Sequence, residues 1–110
     1  MKDEKWIVKF LDEHKLKSIS VYDLSSGDEK KFVIIATALS TQTNKTVADL
    51  LKEELNYEDK IEGYNKGEWI VFDLGNYTIH LFLPKIREKY NLDKLYKPKK
   101  ITVKTQKEEK

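Results

Sequence analysis

At 110 residues the chain is long enough for one hydrophobic core and too short for two. Apolar residues make up 39% and charged residues 36%, a globular balance with a heavily charged surface, and no apolar run nears the roughly 20 residues of a bilayer span. The absence of cysteine excludes disulfides, thiol catalysis and cysteine-ligated zinc, and a formal charge of +2, from 21 basic and 19 acidic residues, is too even for a dedicated nucleic-acid binder.

The opening stretch MKDEKWIVKF has no apolar segment of the secretory kind, so a reducing, cytoplasmic setting is expected. Residues 2–15 carry Trp6, Ile7, Phe10, Leu11 and His14 at helical spacing among charges, which predicts an amphipathic helix. Leu16 to Leu24 alternates, with Ile19 and Val21 on one side and Ser20, Tyr22 and Leu24 on the other, as a half-buried strand does. Ser25, Ser26, Gly27 and Asp28 form a turn cluster. Phe32 to Leu39 is a continuous, β-branched apolar run, the pattern of a central strand covered on both faces. Ser40 or Thr41 can cap the next helix, whose stripe of Val47, Leu50, Leu51 and Leu55 ends near Asn56.

The second half is β-rich. Lys60 to Gly63 is expected as a short strand, and Trp69 to Leu74 and Tyr77 to Phe82 as a hairpin around a two-residue Gly75-Asn76 turn. Pro84 starts a short helix through Glu88 or Lys89, and Asp93 to Lys97 adds another turn. After Pro98 the sequence is polar and lysine-rich, with a frayed end as its default. The expected fold is therefore α/β: one domain over residues 1–97, with a mixed sheet of about five strands flanked by helices, and a tail over 98–110. A helix between the second and third strands implies a crossover connection.

Charge is not spread evenly. Residues 1–97 hold 16 basic and 17 acidic groups, whereas residues 98–110 hold five lysines and two glutamates, so the basicity belongs to the tail. The basic residues are 20 lysines and one arginine, Arg87. Base reading and phosphate gripping favour the planar guanidinium fork, so this profile weakens a sequence-reading nucleic-acid role. Codon bias is the ordinary explanation of the lysine excess.

Little in the sequence supports catalysis. Two-metal phosphoryl transfer usually draws carboxylates from alternate positions of a strand, and no two acidic residues here are separated by one residue. Gly27, Gly63, Gly67 and Gly75 are scattered and make no phosphate cradle. His14 and His80 have no zinc-ligand spacing, so neither metal nor cofactor is expected. A Ser40–His80–Asp73 triad can be drawn, but the residues around Ser40 lack the glycines of a nucleophile elbow, and Ser40 serves as a helix cap. The plain role of His80 is a hydrogen-bonded sheet histidine, and Trp69 is either core or an exposed anchor. Trp69, Tyr77, Arg87, Tyr90 and Tyr96 are together too many large interface-type residues for so small a core, which hints at a contact surface.

Phe32-Val33-Ile34-Ile35-Ala36-Thr37 with Ser40, then Glu62-Gly63, Trp69-Ile70-Val71-Phe72-Asp73-Leu74-Gly75, His80-Leu81-Phe82, Arg87, Tyr90-Asn91-Leu92-Asp93 and Leu95 resemble, in order and spacing, the Iojap family of ribosomal silencing factors, RsfS. The resemblance covers residues 5–97. It implies a nucleotidyltransferase-like fold without the catalytic carboxylates, and no enzymatic activity. It also implies binding to the large ribosomal subunit through the universal large-subunit protein number fourteen, with small-subunit joining sterically blocked and translation repressed. A role in large-subunit assembly is the alternative, and a nucleotide-binding enzyme is a more distant one. A homodimer in the free state and a peripheral contact of the tail with ribosomal RNA complete the expectations.

On that basis Trp69, Asp73, Tyr77, His80 and Tyr96 are the expected ribosomal-protein contacts. Phe82, Arg87, Tyr90 and Leu95 are structural or contact positions. Arg87 either joins the contact or pins the C-terminal helix to the sheet through a carboxylate such as Asp73. The sequence departs from the family pattern at Lys31, where an aspartate is usual, at Ala38, where a glycine is usual, and at Tyr96, where a tryptophan is usual.

Overall fold

Asp3 begins the first helix by accepting the Trp6 N–H at 3.0 Å, satisfying one of the free donors of the first turn. Helix α1 (Glu4–Glu13) then buries Ile7, Val8, Phe10 and Leu11 on one side. The structure, a computed structural model, describes residues 2–102. Strands β1 (Lys17–Asp23) and β2 (Phe32–Thr37) pair antiparallel, and all six residues of β2 are buried. The central position expected for that apolar run is therefore correct, although the strand stops at Thr37. Ala38 still donates to the Phe82 carbonyl, and Leu39, 77% exposed, begins the exit toward the Ser40 cap.

Helix α2 (Thr41–Leu55) starts on Ser40, whose Oγ accepts the Thr43 N–H, and ends on Asn56 in the left-handed conformation. Its buried stripe is Asn44, Val47, Ala48 and Leu51. Leu50, expected in that stripe, is 38% exposed, because it lies about 100° around the helix from Leu51. Asn44 fills the inner position instead, donating both side-chain N–H groups, to the carbonyls of Gly67 and Leu81.

The hairpin is as the alternation predicts: β3 (Trp69–Asp73) and β4 (Tyr77–Phe82) pair antiparallel across Gly75-Asn76, with Gly75 at φ +87°. Lys60 to Gly63 is not a strand of the sheet. It contributes one isolated bridge, Glu62 to Val71, along the outer edge of β3. The fifth strand is β5 (Lys100–Ile101), reached through α3 (Pro84–Tyr90), α4 (Leu92–Tyr96) and a 3-10 turn at Lys97–Lys99. The frayed end expected after Pro98 thus does not hold at Lys100 and Ile101, which pair with Tyr22 and Val21. The rest of that expectation, from residue 103 onward, lies outside the described residues.

The sheet order is β3-β4-β2-β1-β5, with β2 and β4 its parallel pair. The crossover from β2 passes through α2 and β3 before its parallel strand β4 is reached. Alternation along β2 divides the interior in two. Phe32, Ile34 and Ala36 meet α1 and α2 in the larger core, and Val33 and Ile35 join Tyr22 and Phe82 in a smaller one under α3 and α4. The smaller core is where the candidate site lies.

Candidate functional site

On β3 and β4 the side chains of Trp69, Val71 and Asp73 share a face with Thr78, His80 and Phe82, because opposed residues of an antiparallel pair point the same way. The Trp69 indole stacks on Phe82 at 4.9 Å between centroids, and Tyr90 of α3 leans against it at 4.8 Å. The Trp69 Nε1–H donates to Nδ1 of His80 at 3.0 Å, so the imidazole is neutral with Nδ1 as its acceptor. Burial pushes the His80 pKa down to about 4, against the opposing pull of the Asp93 carboxylate. The plain reading of His80 as a hydrogen-bonded sheet histidine is correct, and Trp69 is half-buried, between the two roles open to it.

Of the outer residues on this side, Tyr90 is 51% and Leu95 68% exposed, while Tyr96 is half-buried against Tyr22 at 5.7 Å. Asp73 is exposed at the hairpin end, its Oδ1 accepting the Gly75 N–H at 3.0 Å. Five expected contact or structural positions, Trp69, Asp73, His80, Phe82 and Tyr90, therefore meet on one face, and Tyr96 packs against the same smaller core. Tyr77 does not join them. It points to the opposite face, stacks on Phe32 at 5.6 Å and donates its O–H to Glu4 at 3.2 Å, tying β4 to α1.

Arg87 pins the C-terminal helices to the sheet, but not through Asp73. Its Nε and one terminal nitrogen donate to the two oxygens of Asp93, each at 2.9 Å, in the bidentate geometry that only a guanidinium offers. The remaining donors reach the Ser18 carbonyl of β1 at 2.6 Å, Thr37 Oγ1 of β2 at 2.8 Å and Ser20 Oγ at 3.2 Å. The Tyr22 O–H donates to the same carboxylate. Hydrogen bonds from Arg87 hold the Asp93 carboxyl below its usual range, and burial with the Asp93 bond raises the Tyr22 phenol to about 12. Sequence reasoning passed over Asp93, Tyr22, Ser18 and Thr37 as partners. The signal was the lone arginine among 20 lysines, placed where a planar fork cannot be replaced by a point charge.

The drawn triad does not form: Ser40 Oγ is engaged with Thr43, and the hydrogen-bond partner of His80 is Trp69. A shallow crevice of about 500 Å³ opens at the carboxyl ends of the parallel strands, lined by Thr37, Leu39, Arg87 and Asp93, where open α/β sheets commonly take ligands. Here the guanidinium is neutralised and its donors are occupied, so Lys17 is the only other cation facing Glu88 and Asp93 in that lining. That is a poor phosphate site. Among the described residues no three of His, Asp and Glu gather as metal ligands, and no helix is long and apolar enough to cross a membrane.

The edge of β3 is closed rather than free. Glu62 and Val71 exchange both backbone hydrogen bonds, and the Asp73 N–H donates to Tyr57 Oη. Gly63 sits at φ +77°, where an added Cβ would lie 2.0 Å from the Trp69 carbonyl oxygen. Its lack of a side chain lets the backbone come that close.

Known proteins share this fold. A ribosomal silencing factor RsfS of Zymomonas mobilis is 30% identical over 97 residues, covering 84% of this chain and 73% of that one. The mouse mitochondrial assembly of ribosomal large subunit protein 1 is 49% identical over 37 residues, 34% of this chain and 16% of its own length. A crystal structure from Chromobacterium violaceum superposes with a TM-score of 0.70 at 27% identity, covering 87% of this chain and 84% of that one. The family described as RsfS, ribosomal silencing factor during starvation, matches over residues 2–110, and the chain belongs to it.

Proposed function

We propose that this chain is a cytoplasmic, non-enzymatic ribosomal silencing factor that binds the large subunit through the universal large-subunit protein number fourteen and blocks small-subunit joining. The observation that carries the contact surface is the aromatic face of β3 and β4. Trp69 is held edge-on by His80, backed by Phe82 and flanked by the exposed ring of Tyr90. Pre-ordered aromatic anchors lose little entropy on binding and dominate protein contacts. Asp73 and Tyr96 complete the surface, with Tyr77 as support from the opposite face. A basic ribosomal protein suits a domain whose residues 1–97 carry one more acidic than basic group.

No chemical step is required. Subunit joining buries a large surface, so a rigid domain bound on it excludes the other subunit by overlap, with occupancy set by concentration over Kd. The lysines beyond Thr102 would add weak, salt-sensitive attraction to ribosomal RNA, and free chains would pair as homodimers. A second reading, action in large-subunit assembly, is favoured by the likeness to the mouse assembly protein.

The test is a pull-down of purified large subunit and of isolated protein number fourteen. Both should be retained by the wild-type chain, and Trp69→Ala should weaken retention by about tenfold or more while leaving the fold intact. Full retention by Trp69→Ala would move the contact elsewhere, and capture of protein-free ribosomal RNA in place of the protein would overturn the partner.

A further inference from the structure

Helices α3 and α4 carry Tyr90, Leu95 and Tyr96, yet contain no fully buried residue. Ile86, Leu92 and Tyr96 rest half-buried on the smaller core, which is thin anchoring for two helices of seven and five residues. Apolar contact of that kind is non-directional and leaves short helices free to slide or tilt. Directional restraint comes chiefly from one side chain, with the Tyr22 O–H adding a single bond to the Asp93 carboxylate of α4. The guanidinium of Arg87 on α3 reaches α4 through both oxygens of Asp93, β1 through Ser18 and Ser20, and β2 through Thr37.

The backbone on the receiving side is built around this group. Ser18 lies at φ +50°, a left-handed conformation disfavoured for a non-glycine residue, at the point where the pairing of β1 with β2 shifts register. Its carbonyl accepts the shortest of the Arg87 hydrogen bonds. On the helix side Asn91, at φ +46°, closes α3 by donating its N–H to the Arg87 carbonyl and caps α4 by accepting the Lys94 N–H. Ser18 thus meets the guanidinium and Asn91 the backbone carbonyl of the same residue, and the strain at Ser18 persists because surrounding contacts over-determine it.

We propose that Arg87, acting through Asp93 and Ser18, is a positioning residue for partner binding: it touches no partner, but holds α3 and α4 so that Tyr90 stays against Trp69. The proposal rests on the contact face described above. A lysine at position 87 would keep the charge and lose the fork, so it cannot span two strands and a carboxylate together.

The experiment pairs amide hydrogen exchange with affinity for purified large ribosomal subunits, in wild type, Arg87→Lys, Tyr90→Ala and Trp69→Ala. In Arg87→Lys, exchange should quicken across residues 84–96 while Ile34, Ile35 and Ile79 keep their protection, and affinity should fall about tenfold. Tyr90→Ala should lose affinity with exchange unchanged. Reduced affinity in Arg87→Lys without faster exchange would overturn the proposal, since Arg87 would then meet the partner itself. Faster exchange with full affinity would overturn it as well. In that case Trp69→Ala separates the causes: loss of binding there confines the failure to α3 and α4, and full binding there removes the contact face too. Should Arg87→Lys fail to fold, Thr37→Val deletes a single acceptor at nearly constant shape, with the same pair of changes expected at smaller amplitude and the same outcomes overturning it.

Discussion

His80 and Gly63 show how much single residues determine here. A buried imidazole that must stay neutral has a folded pKa of about 4, below the ordinary value of 6.5. The unfolded chain therefore takes up a proton at a pH where the folded one does not. The contribution is fully present above pH 6.5, declines as the pH falls toward 4, and levels off below that. Its full amplitude is about 3 kcal/mol, most of it lost by pH 4.5. Urea unfolding between pH 8 and pH 4.5 should show this loss, and His80→Phe, which cannot protonate, should flatten it. Gly63 acts through space rather than charge. Gly63→Ala places a methyl group against the Trp69 carbonyl in a backbone conformation that alanine resists, and should lower unfolding free energy by about 2–3 kcal/mol. Denaturant titration measures it, and an unchanged midpoint would mean that Glu62 and Gly63 do not close the β3 edge.

At the scale of elements, what was legible depended on how local the signal was. The β2 run and the Gly75-Asn76 hairpin are local patterns, and both form where expected, although β2 stops at Thr37. The division of Trp69 from Tyr77 was also accessible. A two-residue turn pairs Tyr77 with Leu74, an odd number of positions from Trp69, so the two rings must face opposite ways. Strand β5 was hidden because Lys100 and Ile101 sit in a short lysine-rich stretch with few apolar residues, and their pairing is set by the distant strand β1. Arg87 and Asp93 are six residues apart and meet only because Asn91 turns the chain between two short helices. Truncation after Lys99 tests the element that was missed. It removes the two pairs with β1 and the packing of Ile101 on the larger core, and should cost about 1–2 kcal/mol in thermal or urea unfolding. An unchanged stability would leave β1 as the effective edge of the sheet.

Over the whole molecule, the two faces of one sheet divide the work. The face under α1 and α2 holds most of the buried apolar side chains and supports the fold, with Tyr77 and Asn44 fastening helices to it. The other face holds few buried side chains and carries the exposed ring of Tyr90 beside half-buried Trp69 and Tyr96. Charge divides along the chain instead, since residues 1–97 are near neutral and the excess lysine lies in 98–110. A partner contact on the β3 and β4 face should therefore depend on aromatic packing more than on salt.

Subunit joining, followed by sedimentation of large and small ribosomal subunits mixed with increasing amounts of the chain, measures this most directly. The wild-type chain should suppress the joined species in proportion to the large subunits it occupies, and Trp69→Ala should leave joining intact at the same concentrations. Large subunits saturated with the chain yet still joining, or Trp69→Ala suppressing joining as well as wild type, would contradict it.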